Sequence, residues 1–209
     1  DVDAHHGDGV QDAFHDDDRV LTVSVHEAGR WPMAVAGAPA KGAAGDRAGG
    51  MARNIPVPPG FNDSEMDYVL EAALLPLGEA FEPEAVVIQG GSDAVAEDPL
   101  SRLELSNGAL WRVVAEAMHL APRVLCLGGG GYNPWAVGRC WAGVWATLNV
   151  IAVPEPLPAD AEAVLRGLEW RHSRGRNPPA HWFTTLADPP RRGPLRDEVR
   201  AAVAAALAP

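Results

Sequence analysis

Two short apolar runs in this chain, residues 84–89 (EAVVIQ) and 123–127 (RVLCL), open straight into glycine-rich polar turns. The first leads into Gly90-Gly91-Ser92-Asp93 and the second into Gly128-Gly129-Gly130-Gly131-Tyr132. A third β-branched run, residues 19–25 (RVLTVSV), ends at His26. Between the runs lie segments with helical periodicity. Ser64 is placed to cap one that carries Met66, Val69, Leu70, Ala73, Leu74 and Leu77, and Ser106 to cap another with Leu110, Val113 and Val114. A third starts with Asn133 as cap and Pro134 at its first position, and its stripe of Val137, Cys140, Trp141, Val144, Trp145 and Leu148 reads as core. Short strands alternating with helices specify an α/β domain on parallel strands. In such sheets sites gather beyond the carboxyl ends of the strands, where these turns fall.

The remaining segments are less regular. Residues 8–15 suit a short helix. Residues 27–54 are rich in Gly and Ala without a clear period and read as a long loop. From Pro154 the chain is Pro-rich, with short helices expected over 159–168 and 196–207. The division expected is therefore a domain over 1–150 and an extension over 151–209.

Charge narrows the function classes. A formal net charge of -11 opposes direct nucleic-acid binding as the main task and suits a cationic substrate such as a lysine tail or a polyamine. No apolar run reaches the roughly 20 residues of a membrane-spanning helix. The two cysteines, Cys126 and Cys140, sit in apolar segments as free thiols and suit a reducing cytosol, so a cytoplasmic location is expected. No feature of the pattern sets an oligomeric state.

The densest chemistry stands at the head of the chain, Asp1-Val2-Asp3-Ala4-His5-His6-Gly7-Asp8-Gly9. In extended geometry, residues two apart share a side at a spacing of about 6.6 Å, so Asp3 and His5 can reach one ion and Asp1 can serve beside them. Asp93, on its glycine turn, completes an Asp, Asp, His donor set with room left for water and substrate. That is the layout of a catalytic metal centre, with zinc favoured and Fe(II) or Co(II) also compatible. Tyr132, delivered by four glycines, is suited to donate to an oxyanion. His26 and Glu27 are expected at the mouth of the site, and Trp31 as an aromatic wall. His15, His119, His172 and His181 lack partners at metal spacing. The chain has no Gly-x-Ser-x-Gly elbow, and neither cysteine sits in a reactive motif, so covalent catalysis fits poorly.

Four blocks carry a family resemblance: DVDAHHGDGVQDAF at 1–14, RVLTVSVHE at 19–27, AVVIQGGSDAVAEDPL at 85–100 and LGGGGYNPWAVGRCW at 127–141. In order and spacing the chain resembles the histone deacetylase superfamily, most closely its bacterial acetoin-utilisation and acetylpolyamine-amidohydrolase-like members. The resemblance implies the three-layer arginase/deacetylase fold and zinc-dependent hydrolysis of an acetylated amine. It implies Asp3, His5 and Asp93 as zinc ligands, Tyr132 as stabiliser of the tetrahedral intermediate, and Asp1 as the acid that orients a catalytic histidine. It also implies a structural monovalent-cation site, usually potassium, at Asp1, Asp3, His5, Ser24 and the Val25 carbonyl.

Two departures qualify this. The family's His-His pair, which supplies the general base, lies on a segment upstream of the metal motif. The chain therefore reads as the C-terminal part of a deacetylase domain, inactive as it stands. Residues 26–41 (HEAGRWPMAVAGAPAK) also differ from the usual channel-lining loop. A non-catalytic metal- or acyl-lysine-binding module is the alternative expectation. A ureohydrolase would need a second metal and a second acidic cluster.

Overall fold

The computed structural model describes residues 1–31 and 41–208 of the chain. Among the described residues four strands are present: β1 (Thr22–Glu27), β2 (Ala52–Val57), β3 (Val86–Gly90) and β4 (Val124–Gly128). β1 pairs parallel with β2, and β3 pairs parallel with β4. Residues 1–4 run between the two pairs. The Val2 N–H donates to the Gln89 carbonyl of β3 at 2.9 Å, while the Val25 and Glu27 N–H groups of β1 donate to the Asp1 and Ala4 carbonyls, each at 2.9 Å. The opening motif is thus laid alongside both strand pairs, and the carboxyl ends of β1 and β3 flank it.

The helices are α1 (Asp8–Ala13), α2 (Asp63–Val69), α3 (Leu75–Phe81), α4 (Asn107–Ala117), α5 (Pro134–Leu148), α6 (Ala159–Arg166), α7 (His181–Thr184) and α8 (Asp197–Leu207). α4 and α5 begin where their caps predict. The Ser106 hydroxyl accepts from the Ala109 N–H, and the Asn133 side chain accepts from Trp135 and Ala136. α2 begins two residues earlier than expected. Its cap is Asn62 rather than Ser64, and Asn62 forms a capping box with Glu65. The single helix expected there is interrupted by a π turn at Leu70–Leu74. Pro76 lies two residues beyond it; it lacks an N–H for the carbonyl four residues back, within the turn, and crowds it, which widens the turn.

β2 corrects the expectation of a long loop over 27–54. Ala52–Val57 pairs with β1 in the register Thr22↔Ala52 to Glu27↔Val57. Pro56 is tolerated because β2 has no second strand partner among the described residues. The strand's inward residues, Ile55 and Val57, join Phe61, Leu70, Leu110, Val114 and Val144 in the core.

Cys140 and Val144 confirm the inward stripe of α5, and Trp141 and Leu148 pack against the same core. Trp145 does not follow the stripe; it is 61% exposed. Val87, Leu125 and Leu127 are likewise exposed on the β3–β4 pair. Parallel strands are ordinarily covered on both faces, and the helices described here cover these only in part.

The segment expected as an extension is tied into the same core. Val199, Ala202, Val203 and Ala206 of α8 belong to it. Arg196 reaches the buried Glu65 carboxylate with Nε and Nη2, both at 2.7 Å. Arg139 of α5 and Asp188 form a buried ion pair at 2.7 Å.

Candidate metal centre

The site is built from three turns meeting at the strand ends. Asp3 and His5 come from the motif between β1 and β3, and Asp93 from the 3₁₀ turn Ser92–Ala94 that follows β3. One ligand atom from each lies within 4.8 Å of the others. The His5 Nδ1 stands 3.1 Å from Asp3 Oδ1 and 3.0 Å from Asp93 Oδ2. Asp93 is fully buried and Asp3 nearly so.

Both carboxylates are fixed by backbone donors. Asp3 Oδ2 accepts from the Gly130 N–H at 2.7 Å, and Asp3 Oδ1 from the His5 N–H at 2.8 Å. Asp93 Oδ1 accepts from the Ala4 N–H at 3.0 Å. The glycine turns make room for this packing. A Cβ at Gly91 would stand 2.0 Å from Asp3 Oδ2, and one at Gly130 would stand 1.9 Å from Asp93 Oδ2. No side chain fits there, so both turns require glycine on steric grounds.

The electrostatics are those of a cation site. Hydrogen bonds to Asp3 and then Asp93 raise the His5 imidazole to about 9, against the opposing effect of burial. Burial works to raise Asp3, but hydrogen bonds from the His5 ring and the His5 and Gly130 N–H groups outweigh it and hold Asp3 at about 2. Burial, with the Asp3 charge beside it, raises Asp93. One nitrogen and two carboxylates around one point, with a proton shared among them, is a donor set a divalent cation can take over.

This sets a pH dependence. A metal binds only neutral imidazole, so below about pH 9 it must displace a proton from His5. Apparent affinity for Zn²⁺ is expected to fall by about tenfold per pH unit as pH drops from 9 toward 6. Competition titrations against a chelating dye at several pH values check this; a flat profile contradicts it.

A cavity of about 490 Å³ opens beside the centre. His5, Tyr132 and Trp31 line it, as the sequence leads one to expect, together with Leu100, Arg30 and Arg102. The Tyr132 N–H donates to Asp98 Oδ2 at 2.6 Å, which fixes the tyrosine backbone at the turn. Burial and the carboxylates of Asp93, Asp3 and Asp98 raise the phenol above its usual range, so it remains a hydrogen-bond donor at neutral pH.

His26 and Glu27 are not at the mouth. Strand alternation and pairing turn His26 into a buried network, where its Nδ1 stands 2.9 Å from Ser24 Oγ and its Nε2 stands 3.0 Å from the Gly42 carbonyl. Burial lowers its pKa to about 3, so it stays neutral. His6 packs on it at 4.7 Å between ring centroids. Glu27 is also buried, held by Arg30 and Arg102. Neither arginine is marked by a motif in the sequence; the nearest signal is Asp98-Pro99-Leu100, which ends two residues before Arg102.

Asp1 and Ser24 meet around Gly7, whose N–H donates to Ser24 Oγ at 3.2 Å. A Cβ at Gly7 would stand 2.5 Å from Asp1 Oδ2. Asp1 Oδ1 also accepts from the Asp3 N–H at 3.1 Å. Among the other histidines, His15 pairs with Asp16 on the surface, and His172 stacks on Trp170.

The parallel α/β fold thus carries an aspartate–histidine cluster, able to hold a metal ion, beside a tyrosine-lined cavity. Residues 1–148 match the histone deacetylase domain, and the chain belongs to the histone deacetylase family. It is 40% identical over 146 residues to putative histone deacetylase 2 of Caenorhabditis elegans, covering 68% of this chain and 28% of that protein. It is 34% identical over 162 residues to human histone deacetylase 1, covering 76% and 32%. Its fold matches an HDAC homolog from Aquifex aeolicus with a TM-score of 0.86 and 34% identity, over 99% of this chain and 56% of that one. The expected deacetylase fold is thus borne out, and the match includes the helices after residue 148. The chain spans about a third of the curated relatives and just over half of the Aquifex structure.

Proposed function

We propose that this chain provides the metal-binding and oxyanion-stabilising half of a zinc-dependent deacetylase acting on an acetylated amine. The observation that carries the reading is the convergence of Asp3, His5 and Asp93 within 4.8 Å beside a cavity lined by Tyr132. Family membership and a related HDAC homolog complexed with SAHA support it.

Zinc held by these three residues would supply Lewis acidity toward an acetamide carbonyl. Fe(II) or Co(II) suits the same donors. Asp3 and Asp93, fixed by backbone N–H groups, keep the ligand oxygens in place. Tyr132 donates its phenol hydrogen to the oxygen on which negative charge builds. Trp31 and Leu100 give the cavity apolar wall for the carbon chain of an acyl amine. Asp1, Asp3 and His5, with Ser24 and the Val25 carbonyl, are proposed to hold a structural potassium ion, and Asp1 to orient the histidine that acts as base. Both cysteines are free, in keeping with the proposed cytoplasmic setting. Among the described residues, no helix is long and apolar enough to cross a membrane.

Among the described residues His5 is the sole histidine lining the cavity, and in this reading it would be taken up by the metal. The 209-residue chain alone is therefore expected to bind zinc yet turn over slowly. In a polypeptide that also carries the family's histidine pair, Tyr132→Phe should lower kcat by roughly 10²–10³, the cost of one oxyanion donor. Acetate release from acetyl-lysine peptides, acetylpolyamines and small acetylated amines measures this. Unchanged kcat in the Phe variant, or no zinc-dependent release from any of the three, overturns the reading.

A further inference from the structure

The cavity carries positive charge that the proposed chemistry leaves unused. Arg30 and Arg102 both line it, and both hold the same buried carboxylate, Glu27. Arg30 grips Glu27 with Nε at 2.5 Å and Nη2 at 3.1 Å. Arg102 uses its backbone N–H, at 2.8 Å, and Nε, at 2.9 Å. Four donors fill the acceptor positions of one carboxylate. Two guanidinium charges therefore share a single negative charge. The Nη1 and Nη2 groups of Arg102 have no hydrogen-bond partner among the described residues, and its side chain is 66% exposed.

A guanidinium anchored through Nε and left open at its forked end is preorganised for a planar anion. It loses little side-chain freedom when it binds, and the fork matches two carboxylate oxygens. The His5 side chain is recessed in the same cavity, at 21% exposure. An acyl amine seated with its carbonyl at the metal centre would extend outward past Tyr132 and Trp31 toward Arg102. The net charge of -11 favours cationic ligands at long range, but at this wall of the cavity two guanidinium groups face the one carboxylate they hold.

We propose that Arg102, braced by Glu27 and Arg30, selects acylated amines bearing a carboxylate a short carbon chain away from the amide. The inference rests on the metal-centre reading above and deepens it. It disfavours acetylpolyamines, whose free ammonium groups would face the arginine pair.

The test uses the zinc-supplemented chain and two matched probes of varied chain length, an ω-carboxyalkyl hydroxamate and its ω-carboxamide. Equilibrium binding is measured by calorimetry. The carboxylate probe is expected to bind roughly tenfold tighter at low ionic strength, with the advantage shrinking in salt. Arg102→Gln should bring the two probes to within about twofold, while Arg102→Lys should retain part of the preference. Equal binding of the two probes by the wild-type chain overturns the inference and leaves the metal reading intact. If neither probe binds, the metal reading itself fails. The wild-type comparison requires no variant to fold.

Discussion

Asp93→Ala is expected to remove stoichiometric zinc binding, with affinity lower by at least ~10²-fold. Groups that merely orient a metal ligand cost 10- to 100-fold when lost, so a residue contributing a donor atom should cost more. Asp93 is buried and offers Oδ2 to the point shared with His5 Nδ1 while Oδ1 is held by Ala4. Asp93→Asn is the companion variant, because it preserves shape and the Ala4 contact but halves the carboxylate charge at the centre. Both variants should weaken zinc, and Asn should melt closer to wild type than Ala. Wild-type zinc affinity in Asp93→Ala would remove this residue from the ligand set.

The largest expected effect on stability lies at Asp188. Its carboxylate pairs with Arg139, and the two side chains are 2% and 1% exposed. Asp188 also accepts from the Asn107 N–H at 3.1 Å and donates its own N–H to Asn107 Oδ1 at 2.8 Å. Asp188→Ala strands the Arg139 guanidinium in a low-dielectric interior with only the Thr185 carbonyl, at 2.8 Å from Nε. Breaking such a pair from one side costs about 3–5 kcal/mol. Replacing both, as Arg139→Met with Asp188→Ala, removes the unpaired charge and should recover much of that loss. Urea unfolding of the single and double variants measures the difference. A single variant within about 0.5 kcal/mol of wild type would show that the pair does not hold the C-terminal segment to α5.

These two sites differ in how far the sequence announces them. The convergence of Asp3, His5 and Asp93 was legible because its chemistry is local: Asp3 and His5 are two residues apart, and Asp93 follows a strand and a glycine turn. Tyr132 was legible for the same reason. The Asn133 and Ser106 caps could be read because capping is decided within three residues. β2 was not legible, since Pro56 and the Gly- and Ala-rich stretch before it suppress any strand period. Its pairing depends on β1, about 30 residues away in register. His26 looks like a strand end in the sequence, but the strand continues through Glu27. Within the strand, it turns toward Ser24 and Gly42 instead of the cavity. Trp145 was misplaced because one edge of the α5 stripe lies beyond the surface the core covers. Arg30 and Arg102 carry no local signal, because their meaning arises only when both reach Glu27, one of them across 75 residues. The Arg139–Asp188 pair is equally long-range.

The proposed metal centre would link several otherwise separate features. Gly91 and Gly130 approach the carboxylates so closely that any side chain at either position would collide with them. A cation in the proposed site would take the place of the proton that Asp3 and Asp93 hold on His5, and the phenol of Tyr132 stays protonated at the edge of the same cavity. Together they account for why three dispersed segments carry glycine beside acidic or imidazole side chains.

The most direct measurement is anomalous diffraction at the zinc edge from crystals of the zinc-supplemented chain. One strong peak is expected, within about 2.0–2.2 Å of His5 Nδ1 and of an oxygen each of Asp3 and Asp93. No peak between these three residues, or two peaks of equal height bridged by the carboxylates, would contradict it.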